Sequence, residues 1–159
     1  MSNISAAQVK ELREKTGLGL MDCKKALEDA EGNMDKAIEE LRKTSGVKAS
    51  KKSGRSAADG LIAIKNIDDQ IFMIEVNCET DFVARDDSFV EFTSQTLKSF
   101  SENPEKTLQE LMDDGIEDNR EKIVQKLGEN IVVRRVAKTE SSTITAVSYT
   151  HLTLPTIRL

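Results

Sequence analysis

Apolar residues recur at spacings of three and four up to residue 42, then gather from residue 61 in short runs bounded by turns. That change of pattern requires the chain to bury helical stripes first and a sheet face later. The first part reads as three short helices. Ser5-Ala-Ala-Gln8 is a capping box, in which the Ser5 hydroxyl takes an amide hydrogen and Gln8 reaches back. Val9 and Leu12 share a face with Ala6, and Gly17 and Gly19 stop the helix. A second helix, about residues 20–30, carries Leu20, Cys23, Ala26, Leu27 and Ala30 on one stripe. Glu31-Gly32-Asn33 turns the chain, Asn33 caps a third helix, and Met34, Ala37, Ile38 and Leu41 line its apolar face. Three amphipathic helices within residues 1–42 predict a compact bundle near the lower size limit for a free-standing core.

Residues 43–60 change composition. Lys43, Lys48, Lys51, Lys52 and Arg55 meet no acidic residue until Asp59, and Gly46, Gly54 and Gly60 sit among small residues. The stretch reads as a solvated basic linker with room for some helix. A basic strip for RNA is the second reading, weakened because no aromatic is interleaved to stack on bases.

Residues 61–140 predict a small α/β unit. Leu61–Ile67 and Ile71–Val76 read as two strands of a hairpin around Asp68-Asp69-Gln70. A helix over about 86–101 places Phe89, Phe92, Thr93, Thr96, Leu97 and Phe100 on one stripe. Helical segments at about 107–112 and 116–127 flank the turn Asp113-Asp114-Gly115, and the β-branched run Ile131–Val136 suits a third strand. The expected class is α+β: a three-helix bundle, then a small antiparallel sheet packed with helices. Residues 141–159 are rich in Thr and Ser and contain no acidic residue, unlike the densely charged chain before them. They read either as a strand with an irregular end or as foreign sequence.

Charge and cysteine content narrow the function. The net charge of −5 argues against general nucleic-acid binding. No apolar run approaches membrane-spanning length, and the first residues lack the basic and apolar regions of a signal peptide, so the cytoplasm is the expected compartment. Cys23, Cys78 and His151 form no recognisable zinc-ligand cluster, and the two cysteines are expected to be reduced, buried apolar filler rather than half of a Cys–His nucleophile pair. No cofactor is expected. The segment Val76-Asn-Cys-Glu-Thr-Asp-Phe-Val-Ala84 places an aromatic beside a carboxylate where a strand ends. Residue types leave two readings for it. Asp81 caps a following helix with Phe82 in the core, or Phe82 is a wedge for another protein; the usual burial of phenylalanine favours the first.

Three motifs change that balance. Leu12-Arg-Glu-Lys-Thr-Gly-Leu-Gly-Leu-Met-Asp-Cys-Lys-Lys-Ala-Leu27, Glu75-Val-Asn-Cys-Glu-Thr-Asp-Phe-Val-Ala84 and Gly128-Glu-Asn-Ile-Val-Val-Arg-Arg-Val136 resemble, in order, signatures of the elongation factor Ts family. The likeness covers about residues 1–138. It implies a ubiquitin-associated-like N-terminal bundle and the first half of the family's core. It also implies a guanine-nucleotide exchange factor for the GTPase elongation factor Tu, with no catalytic chemistry of its own. By the motifs, Thr80, Asp81, Phe82 and Val83 would intrude beside the partner's magnesium and phosphate site. Arg13, Leu20 and Met21 would form the contact surface of the bundle. Leu20 stands where the family often has Met, a swap of similar volume. The family core's second half is not recognisable beyond about Lys138; Tyr149-Thr-His151 is only loosely similar to a motif near its start. The alternatives are a protein-binding adaptor built on the bundle, without exchange activity, an RNA-binding protein working through residues 43–55, and an enzyme using Cys23 or Cys78.

Overall fold

The computed structural model describes residues 4–140; the segment 141–159, with Tyr149 and His151, lies outside the described residues. Helix α1 spans Ala6–Thr16. The Ser5 hydroxyl accepts from the Gln8 N–H at 3.2 Å and Gln8 Oε1 accepts from the Ser5 N–H at 3.0 Å, so two otherwise orphaned donors are satisfied together. Gly17, at φ 69°, closes α1 by donating to the Arg13 carbonyl. Helices α2, Leu20–Asp29, and α3, Met34–Lys52, follow, and Asn33 caps α3 by accepting from the Lys36 N–H at 3.0 Å. Val9, Leu12, Leu18, Cys23, Ala26, Leu27, Ala30, Ala37 and Leu41 form one buried cluster. Leu20, expected on that stripe, lies outside it. Leu18, from the preceding loop, takes an inward position beside Cys23 instead.

The third helix runs ten residues beyond the predicted end of the bundle, through Lys43–Lys52 of the expected linker. Tertiary contacts overrule the weak helix preference of Thr44, Ser45 and Gly46. Ala49 is buried in the second core, and the buried Ser45 hydroxyl sits between the Leu41 carbonyl and Gln125 Oε1. Much of the basic composition also finds internal partners. Lys43 pairs with Glu39 at 2.9 Å, Lys48 with Asp22 at 3.0 Å and Arg42 with Asp118, and Lys52 donates to the Gly128 carbonyl.

Strands β1, Asp59–Ile67, β2, Gln70–Cys78, and β3, Val132–Glu140, form one antiparallel sheet in the order β1-β2-β3. The hairpin closes through Asp68-Asp69, with Asp68 left-handed at φ 52°. Gly60 lies so close to β2 that a Cβ there would sit 2.1 Å from the Val76 carbonyl oxygen. In the β2–β3 pairing, Val133 faces Val76 and Arg135 faces Glu75, leaving Arg134 as a bulge. Arg134, Arg135 and Lys138 place charge along this edge strand, which discourages pairing with another chain.

Between β2 and β3 come a four-residue helix α4, Asp81–Ala84, then α5, Asp87–Glu102, α6, Leu108–Leu111, and α7, Glu117–Leu127. A wide turn, Met112–Ile116, separates α6 from α7, where Asp114 and Gly115 leave helical geometry. The full predicted stripe of α5 is buried, and it joins Phe72, Ile74, Val76 and Cys78 of β2 on one face of the sheet. The Phe72 and Phe100 rings meet edge to face, centroids 5.6 Å apart, the arrangement their quadrupoles favour. The fold is α+β: a helical bundle, then an antiparallel sheet with helices packed on it. No helix among the described residues is long and apolar enough to cross a membrane.

Candidate functional site

Strand β2 delivers the chain at Cys78 into a turn that starts α4. Thr80 is extended, and its hydroxyl accepts from the Val83 N–H at 3.4 Å. Thr80 is therefore the cap of α4, while Asp86 caps α5 by accepting from the Ser88 N–H at 2.8 Å. The expectation that Asp81 caps the following helix with Phe82 in its core does not hold. Phe82 is 81% exposed, whereas Phe89, seven residues on, is fully buried. Asp81 pairs with Arg85 at 3.1 Å, one turn along, and both side chains are largely solvated. Val83 packs partly against the core and Ala84 is buried, so the two residues after Phe82 anchor the turn from below.

The turn is also tied down at its start, by residues about fifty positions later. Glu129 Oε2 accepts from the Glu79 and Thr80 N–H groups at 3.0 Å each, and Glu129 Oε1 accepts from the Thr80 hydroxyl at 2.6 Å. In return, Glu79 Oε1 accepts from the Asn130 N–H at 2.6 Å and lies 3.4 Å from Arg55. The Asn130 N–H, followed by Arg55, holds the Glu79 carboxyl below its ordinary range. Asn130 Nδ2 donates to the Ser53 and Arg55 carbonyls just beyond α3, at 3.3 and 2.8 Å. Gly128-Glu129-Asn130 open the third of the sequence motifs, which carries no indication of these bonds. No local signal could have given more, because the bonds join segments distant in sequence.

The two cysteines are free and buried. Burial, with the Glu129 and Asp59 carboxylates nearby, pushes the Cys78 thiol up to about 12. That thiol donates to the Thr80 carbonyl at 3.2 Å, and the upward shift disfavours the thiolate that a nucleophile needs. Among the described residues, no group of three or more His, Cys, Asp and Glu side chains is arranged to hold a metal ion.

Arg13 lies exposed in the last turn of α1, and Leu20 and Met21 open α2 at 52% and 73% exposure. Among the described residues, no hydrogen bond or ion pair joins these three to Thr80–Val83. The two groups belong to different packing units that share α3. What the Phe82 turn offers chemically is a large apolar side chain on a braced backbone, next to a carboxylate held only by a surface ion pair. Such pairs contribute little and part readily.

A family model described as Elongation factor TS matches residues 79–157. The elongation factor Ts of Marinobacter nauticus is 55% identical over 146 residues, covering 91% of this chain and 50% of that protein. That of Hahella chejuensis is 50% identical over 153 residues, covering 95% and 53%, and that of Francisella tularensis subsp. novicida is 45% identical over 157, covering 95% and 54%. The chain thus spans about half the length of these relatives. With the family model and these relatives in agreement, the chain belongs to the elongation factor Ts family.

Proposed function

We propose that this chain acts in translation elongation, in the cytoplasm, by binding the GTPase elongation factor Tu and promoting release of its GDP. The observation that carries this reading is the solvent-exposed Phe82 on a turn fixed at both ends. A GTPase holds its nucleotide through a phosphate-cradling loop and a magnesium ion. An exchange factor needs no nucleophile and no general base; it binds the nucleotide-free state better than the GDP state. Linkage then requires factor and GDP to weaken each other by the same ratio.

Phe82 supplies that difference if its pocket opens only as the nucleotide site loosens. Fully burying a Phe side chain is worth about 1.5–3 kcal/mol. With 81% of Phe82 still exposed, about 1.2–2.4 kcal/mol of this remains to be realised on a partner. Asp81 brings a negative charge to the same place and leaves Arg85 at little cost, so it can compete for groups that hold the magnesium ion. Leu20 and Met21 of α2 and Arg13 of α1 supply a second contact that raises affinity without itself distinguishing the nucleotide states.

The test is release of a fluorescent GDP analogue from elongation factor Tu with the intact chain and with Phe82→Ala. The expected loss in the variant is roughly ten- to fifty-fold, the Boltzmann equivalent of the burial above. Equal acceleration by both proteins refutes the wedge. Binding of nucleotide-free Tu with no acceleration by the intact chain would instead leave a binding module, the adaptor reading.

A further inference from the structure

We infer that Glu129 is a positioning residue for the Phe82 turn, with Asn130 linking that turn to α3; the inference rests on the wedge reading above. Helix α4 has four residues, too few to hold itself by its own hydrogen bonds, so the direction of Phe82 depends on what fixes the ends. At the upstream end the fixing group is the Thr80 hydroxyl. A hydroxyl has one hydrogen and two lone pairs. Here the hydrogen goes to Glu129 Oε1 at 2.6 Å, which leaves a lone pair for the Val83 N–H at 3.4 Å. The carboxylate therefore sets the polarity of the cap. Its other oxygen takes the two preceding N–H groups, of Glu79 and Thr80, so one side chain accepts three hydrogens from two consecutive residues. Bonds to an ionised acceptor are the stronger kind.

The same tie continues towards the bundle. Asn130 donates its N–H to Glu79 and its side-chain amide to two carbonyls beyond the end of α3. The other half of α3 contributes Ala37 and Leu41 to the cluster that supports α2, where Leu20 and Met21 lie exposed. Hydrogen bonds thus link the wedge turn to the end of α3, and apolar packing links α3 to the helix that carries the second contact surface. Neither Glu129 nor Asn130 has to touch the partner. Their contribution is that the turn is already in its working geometry, so little ordering is left to oppose entry of Phe82 once the bundle has made its contact.

The test combines amide hydrogen exchange with release of a fluorescent GDP analogue from elongation factor Tu, on the intact chain, Glu129→Ala, Glu129→Gln and Phe82→Ala. For Glu129→Ala, exchange at the Thr80 and Val83 amides should speed up by about ten-fold, the usual scale of a lost cap. The saturating release rate should fall by about ten-fold, while the concentration for half-maximal release moves by less than about three-fold, because the bundle contacts are untouched. Glu129→Gln keeps the length and one acceptor oxygen and should recover part of both effects. Unchanged amide exchange at Thr80 and Val83 overturns the inference. So does normal release by a variant whose turn has loosened, or a loss that only tracks a fall in the folded fraction. If Phe82→Ala slows release and Glu129→Ala does not, the positioning role alone is lost. If Phe82→Ala has no effect, the wedge reading fails and this role falls with it.

Discussion

Replacing Gly46 with Ala sets two local effects against each other. Gly46 lies inside α3, in the part that composition marks as linker. In a helix interior, Ala is favoured over Gly by about 0.8–1.0 kcal/mol. Against this, a Cβ at Gly46 would stand 3.1 Å from both carboxylate oxygens of Glu121 and 3.4 Å from its Cδ. Those atoms end a flexible side chain that makes no hydrogen bond or ion pair among the described residues. Burial, then Glu117, raises the Glu121 carboxyl above its ordinary value, so moving outward also relieves its desolvation. The shift should cost about 0.5 kcal/mol, the scale of an off-rotamer side chain. Gly46→Ala should therefore stabilise the fold by roughly 0.5 kcal/mol and raise Tm by about 1–2 °C. In a Glu121→Ala background, where the obstruction is gone, the gain should approach about 1 kcal/mol. Urea unfolding of the four proteins of this cycle measures both values. Destabilisation by more than about 1 kcal/mol would mean that Glu121 cannot move. No effect in either background would mean that residues 43–52 are not helical in solution.

Two further outcomes follow from groups around the Phe82 turn. Cys78, pushed up to about 12, should resist a thiol-titrating reagent in the folded chain at pH 8 and react at once in denaturant; rapid native reaction would contradict its burial. The Glu79 carboxyl is held below its ordinary value of 4.5, so its contribution to stability is present above that pH and lost as pH falls through the lower folded value. Thermal melts of the parent and Glu79→Gln should differ at pH 7 and converge as pH falls through that lowered value, and a gap that widens in acid would reverse the assigned sign.

What the sequence disclosed depended on range. The Ser5–Gln8 box and the Asn33 cap act over three residues, and both appear as read. The α5 stripe repeats over four turns, and all six of its predicted members are buried. The length of α3 was not legible, because Gly46 and the lysines look like linker until α7 is laid beside them. Leu20 fits the stripe of α2 by spacing alone, but Leu18 reaches inward from the loop and displaces it. At the site, the motif indicated Asp81 and Phe82, whereas spacing favoured a buried Phe82. The partial burial of Val83 and the burial of Ala84 explain the difference, since they meet the core's demand for apolar groups and release Phe82 to solvent. Glu129 and Asn130 stand in the third motif, but their role at the turn was not legible because every bond they make to it crosses about fifty residues.

That separation has a consequence for how the protein is made. At about 5–20 residues per second, a ribosome takes roughly 2–10 s to add the 49 residues between Thr80 and Glu129. The helices of the bundle rely on local contacts and can form in that time. The Phe82 turn cannot be completed, and β2 waits for β3 with its hydrogen-bonding edge uncovered. A nascent chain paused in this interval presents an exposed phenylalanine beside an open strand edge. It is therefore the stage of biosynthesis at which chaperone capture, or association between neighbouring chains, competes most directly with folding.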